Sequence, residues 1–117
     1  MDQGATASAV NLDIAPIINQ TQKPLIISNA SHSFLLALSY VVDDQVKFNL
    51  LSSEELDQWK RKVNLLELRK EFSDIFLYYP KDDLLNFFQQ SKDFKLIEAD
   101  GEKYPNRKVF YKVVDVE

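Results

Sequence analysis

With 117 residues, 45% of them apolar and 27% charged, the chain has material for one core and one domain and lacks the composition of a disordered segment. Its 18 acidic and 14 basic side chains give a net charge of −4, which weighs against broad, sequence-independent binding to phosphate backbones. Cysteine is absent, which excludes disulfide frameworks, thiolate metal sites and cysteine nucleophiles from the chain itself.

Residues 1–22 hold two charges and no aromatic side chain, whereas all fourteen aromatics fall between Phe34 and Tyr111. That shift sets off residues 1–22, as a flexible or edge-strand N-terminal arm, from a single α+β domain over 23–117. The opening residues have no basic region followed by an apolar core, so no secretory signal is expected. Within the arm, Val10, Leu12 and Ile14 alternate with Asn11 and Asp13 before Ala15 and Pro16. This is the pattern of an edge strand stopped by proline, one suited to docking on another chain by strand addition.

Pro24 to Ser28 is a short apolar run, read as a strand, and Asn29 to Ser33 has the small polar residues of a turn or helix cap. The run Phe34 to Val42 fits a buried strand or a buried helix equally in length. A polar break at Asp43, Asp44 and Gln45, followed by the alternation of Val46, Phe48 and Leu50 with Lys47 and Asn49, favours a hairpin. The same run is about half the length needed to cross a bilayer as a helix, so a soluble, cytoplasmic protein with no membrane partner is expected.

The clearest local instructions lie between Leu51 and Phe72. Ser52 and Glu55 have the spacing of a capping box, and Leu51 and Leu56 that of a hydrophobic staple. Leu56, Trp59, Val63 and Leu66 then recur at spacings of three and four beside a second row of Leu65, Leu68 and Phe72, which predicts one long helix over about 53–71. Ile75 to Tyr79 is a strand stopped by Pro80, and Pro80 with Asp82 and Asp83 opens a short helix over about 81–91. Phe94 to Ala99 and Lys108 to Val114 close the chain as a β-hairpin. The fold class is therefore α+β, a mixed or antiparallel sheet packed on one long and one short helix. The passage from 75–79 through 81–91 to 94–99 is either a βαβ unit or an antiparallel arrangement.

Signals for chemistry are sparse. His32 stands alone between two serines in a predicted turn, where capping accounts for it better than a nucleophilic triad or a zinc site. The pairs Glu54-Glu55 and Asp82-Asp83 fall in predicted first helical turns, and Asp43-Asp44 in a turn, so helix dipoles and turn chemistry explain them. Asp43-Asp44-Gln45-Val46-Lys47 faintly resembles the acid and lysine cluster of the restriction-endonuclease-like nucleases, a resemblance that would imply a metal on the acids. Gln45 stands where that pattern has an acid. The order of elements over 75–114, with Phe87 to Phe94 at its centre, resembles the closing half of the GNAT acetyltransferases, which would imply acyl transfer from a coenzyme. In that family a glycine-bearing loop holds the pyrophosphate, and the matching stretch Leu51 to Leu56 has no glycine. No catalytic residue, cofactor or metal ligand is assigned.

A helix followed by a basic and aromatic hairpin also resembles a winged-helix tail, which implies nucleic-acid binding by Lys92, Lys95, Lys103, Arg107, Lys108 and Lys112 with Tyr104, Phe110 and Tyr111. Asp93, Glu98, Asp100 and Glu102 interleave with those cations. The expectation is thus a small non-enzymatic interaction module, an adaptor, inhibitor or regulatory subunit, that holds a protein partner. Candidate contact residues are Tyr79, Tyr104, Arg107, Lys108 and Tyr111, and a self-complementary sheet edge would make a homodimer. Nucleic-acid binding by the hairpin and a degenerate GNAT-like acyltransferase are the alternatives.

Overall fold

In the computed structural model, which describes residues 7–99 and 109–116, helices cover both faces of a five-stranded mixed sheet. In chain order the elements are α1 (Ala7–Asn19), β1 (Pro24–Ser28), α2 (His32–Ser39), β2 (Lys47–Leu50), α3 (Ser53–Lys62), α4 (Leu65–Glu71), β3 (Asp74–Tyr78), α5 (Asp82–Gln89), β4 (Phe94–Glu98) and β5 (Phe110–Asp115). The sheet order is β2-β1-β3-β5-β4. β1 pairs in parallel with β2 and β3, with Ile26 opposite both Phe48 and Phe76, and β5 pairs antiparallel with β3 and β4.

All five residues of β1 are buried, as a central strand covered on both faces requires. Alternation along the strands then divides the core. Leu25, Ile27, Ile75, Leu77, Tyr111 and Val113 point to the side covered by Leu56 of α3 and Leu84 and Phe88 of α5. Ile26, Phe76, Tyr78 and Phe110 point to the side covered by Val10, Ile14 and Ile18 of α1 and Leu35 and Leu38 of α2. α4 lies with the first group, its Leu65 and Leu68 packing on the core edge.

Four expectations change here. The edge strand expected at Val10 to Ile14 is part of α1, where Val10, Ile14 and Ile18 at four-residue spacing form a buried stripe. Pro16 does not end that helix: it is exposed, and its carbonyl accepts from Gln20 N–H at 3.2 Å. The hairpin expected over 34–51 is absent because Phe34 to Ser39 belongs to α2, the crossover that two parallel neighbours, β1 and β2, require. Leucine and alanine at its centre favour that helix locally. The single long helix is two, broken at Val63 and Asn64. Val63 is extended, and the Asn64 side chain accepts from Glu67 N–H at 3.2 Å, so asparagine caps a new helix rather than continuing the old one. The expected row therefore fails at Leu66, which is exposed. Finally, β4 runs parallel to β3 after the α5 crossover, which agrees with the βαβ alternative and not with the antiparallel one, but the two strands do not touch because β5 is inserted between them.

Other expectations hold. Ser52 and Glu55 form the capping box: Ser52 N–H donates to Glu55 Oε1 at 3.0 Å, and Glu55 N–H donates to Ser52 Oγ at 3.3 Å. Leu51 and Leu56 of the staple are both in the core. Trp59 stands edge-on to Phe87 with ring centroids 5.5 Å apart. Replacing Ser52 by alanine is expected to cost about 1 kcal/mol in a urea titration. The backbone N–H and then the hydroxyl of Ser52 hold the Glu55 carboxyl below its ordinary value of 4.5. A lowered folded pKa means that this contribution is present above the unfolded value and is lost as pH falls through the folded one. The stability gap between wild type and Glu55→Gln is therefore expected to close on acidification below pH 4.5. A gap unchanged at pH 3 would remove the charge from the account.

Candidate functional site

Of the five candidate contact residues, Tyr104, Arg107 and Lys108 lie outside the described residues. Tyr111 is 8% exposed and belongs to the core under α3 and α5, so its ring is not a surface feature. Phe110, counted with the same hairpin, is fully buried and stacks on Phe76 at 5.0 Å with an interplanar angle of 15°. Lys112 is engaged with Asp74 at 3.0 Å. The hairpin's described aromatics are thus committed to packing and cannot stack on bases. Tyr79 is half-buried, its ring edge-on to Phe34 at 4.9 Å. Its φ of 46° is in the left-handed region, unusual for a tyrosine. Tyr79 N–H donates to Val109 carbonyl at 2.6 Å, which holds the turn from β3 toward Pro80.

Two surfaces stand out instead. The first is the outer face of the α1–α2 layer. These two helices carry one charged residue, Asp13, whereas α3 alone carries Glu54, Glu55, Asp57, Lys60, Arg61 and Lys62. On this face Leu12 is 67% exposed, Leu36 45% and Tyr40 77%. Leu36 and Tyr40, the residue that follows α2 in helical geometry, are four apart and fall on one side. A shallow cavity of about 170 Å³ lies between the helices, lined by Asn11, Leu12, Ala37 and Val41.

Beneath this face the layer is pinned to the sheet by a buried polar pair. Tyr78 Oη donates to Asn11 Oδ1 at 2.6 Å and lies 3.3 Å from the Phe34 carbonyl. Burial first, and the neighbouring Tyr79 second, push the Tyr78 hydroxyl far above the ordinary tyrosine value, against the opposing pull of Asn11. It stays a donor at any physiological pH. The pair ties α1 to β3 from within.

The second surface is a crevice at the carboxyl ends of β1, β2 and β3, about 450 Å³ in volume. Asn29 to His32 after β1, Leu50 to Ser53 with Glu55 after β2, and Lys81 and Asp83 after β3 line it. Asn29 holds its walls together: its Nδ2 donates to Asp83 Oδ1 at 2.9 Å, and its Oδ1 accepts from Lys81 N–H at 2.8 Å. Asp83 Oδ1 also accepts from Leu84 N–H at 3.1 Å. His32, assigned to a cap or the surface, is the exposed first residue of α2 on the rim, with Ser31 as the cap residue before it. Asp43 and Asp44, by contrast, are exposed in the loop before β2, where Gln45 Nε2 lies 3.4 Å from Asp43 Oδ2.

The charge-poor layer had a visible signal: the first 42 residues contain only Asp2, Asp13 and Lys23 as charged side chains. The crevice had none, since it is assembled from three loops by parallel pairing. Among the described residues no helix is long and apolar enough to cross a membrane. Comparison with known proteins returns nothing: no family model, no curated protein and no solved structure matches this chain.

Proposed function

We propose that the chain is a non-enzymatic protein-interaction module that holds its partner with the outer face of the α1–α2 layer. The observation that carries this reading is the unequal division of charge between the two helical layers. An ordinary solvated helix face is studded with charge, as α3 and α4 are. The centres of protein interfaces are depleted of charge and enriched in aromatic and large aliphatic side chains, which is the composition of the face bearing Leu12, Leu36 and Tyr40. Scattered apolar residues alone would carry no such argument.

The test uses the full chain with Leu12→Glu and Tyr40→Glu together. Both side chains are exposed, so the melting temperature is expected to stay close to wild type. Retention of a stoichiometric protein from native extract at moderate salt is expected with wild type and is expected to fall at least about tenfold with the variant, since two carboxylates would be desolvated in the contact. Equal recovery by both proteins would refute the assignment of this face, and recovery of nucleic acid alone would refute the reading altogether. Light scattering on the same pair distinguishes a second copy from a different partner.

A further inference from the structure

We infer that the crevice at the carboxyl ends of β1, β2 and β3 binds a small uncharged ligand bearing adjacent hydroxyl groups, of the chemical class of sugars and ribose-like diols. This is a separate surface from the α1–α2 face and does not depend on it.

Position is the first argument. From β1 the chain passes through α2 to β2 on one side, while from β3 it passes through α5, on the opposite face, to β4 on the other side. The loops after β1 and β3 therefore diverge, and open sheets containing parallel strands place their ligands in the gap at such a switch point. Size is the second: about 450 Å³ lies within the range of small-molecule sites and accommodates a ring of monosaccharide size. The hydrogen bonds of Asn29 to Lys81 and Asp83 keep the walls in place, so little ordering is needed on binding.

The lining decides the ligand class. Glu55 and Asp83 each commit one carboxylate oxygen to the fold, Oε1 to Ser52 N–H and Oδ1 to Asn29 and Leu84. Glu55 also takes the Ser52 hydroxyl, whereas the second oxygen of Asp83 has no partner among the described residues and is an acceptor. Ser52 Oγ accepts from Glu55 N–H and its hydroxyl is spent on the Glu55 carboxyl, so the donors left on the lining are those of Lys81. An anion entering here meets two carboxylates, and a hydrocarbon leaves the Asp83 acceptor unpaired. A ligand hydroxyl both donates and accepts, so adjacent hydroxyls answer the Asp83 carboxylate and the Lys81 ammonium together. Ala30, Leu50 and Leu51 supply the apolar patch against which the C–H face of a sugar ring packs.

Amide NMR titration of the full chain with D-ribose, methyl glucoside and, separately, inorganic phosphate tests the inference. Either sugar probe is expected to give saturable shifts confined to residues 29–33, 51–53 and 81–83, with dissociation in the millimolar range or tighter. Ser53→Phe fills the crevice from an exposed position that makes none of the framing hydrogen bonds, and it is expected to weaken binding at least about tenfold while the remaining spectrum is unchanged. Saturation by phosphate and not by the sugars overturns the ligand class. Absence of any saturable shift at these amides in the wild-type protein overturns the site.

Discussion

Phe76→Ala is expected to cost about 3–5 kcal/mol, a large part of the roughly 5–15 kcal/mol that holds a domain of this kind folded. Phe76 sits on the central strand β3, is 1% exposed and stacks on Phe110, so its removal leaves a hole lined from two strands and from α1. Rigid neighbours on β1 and β5 limit collapse into that hole, which places the cost toward the upper end. Ile97→Ala, on edge strand β4 and half-exposed, is the comparison and is expected to change stability by less than about 1 kcal/mol. Urea denaturation of the two variants measures both. Comparable losses would mean that the core is not centred on the Phe76 side of the sheet.

How much of this architecture could be read from the chain follows from the range of the interactions involved. The cap of α3 was legible because Ser52 and Glu55 meet across one helical turn, and strand β3 because Ile75 to Tyr79 declares itself by composition. The closing pair β4 and β5 was legible as an antiparallel neighbourhood. Parallel pairing leaves no such mark. β1 contacts β2 and β3 in registers such as Ile26 with Phe48 and Ile26 with Phe76, and no turn residue announces either. A hairpin was therefore the cheapest local explanation of residues 34–51, and it was wrong. The candidate contact residues suffered from the same gap: Tyr111 carried an interface composition but occupies a strand buried on both sides. The crevice could not be found before the parallel strands were aligned, because Asn29 and Asp83 are 54 positions apart.

The largest expected effect concerns the segment whose sequence pattern was most misleading. Val10, Leu12 and Ile14 alternate as in a strand, and that reading puts Leu12 and Ile14 on one face. In α1 they are on opposite sides: Ile14 is fully buried against the sheet and Leu12 is 67% exposed. Ile14→Asp is thus expected to bury an unpaired carboxylate among Ile26, Phe76 and Leu38 and to cost more than about 4 kcal/mol, enough to unfold a marginal domain. Leu12→Asp, two positions away, is expected to leave the unfolding transition within about 0.5 kcal/mol of wild type. Deleting residues 1–22 removes Val10, Ile14 and Ile18 together with the Asn11 acceptor for Tyr78, and uncovers the apolar face of β1, β3 and β5. That variant is expected to show no cooperative melt by circular dichroism. Equal tolerance of both aspartates, with a truncated chain that melts as sharply as the full one, would return α1 to the status of a dispensable arm. It would also take the α1–α2 surface with it, since that face exists only if the first helix is part of the folded body.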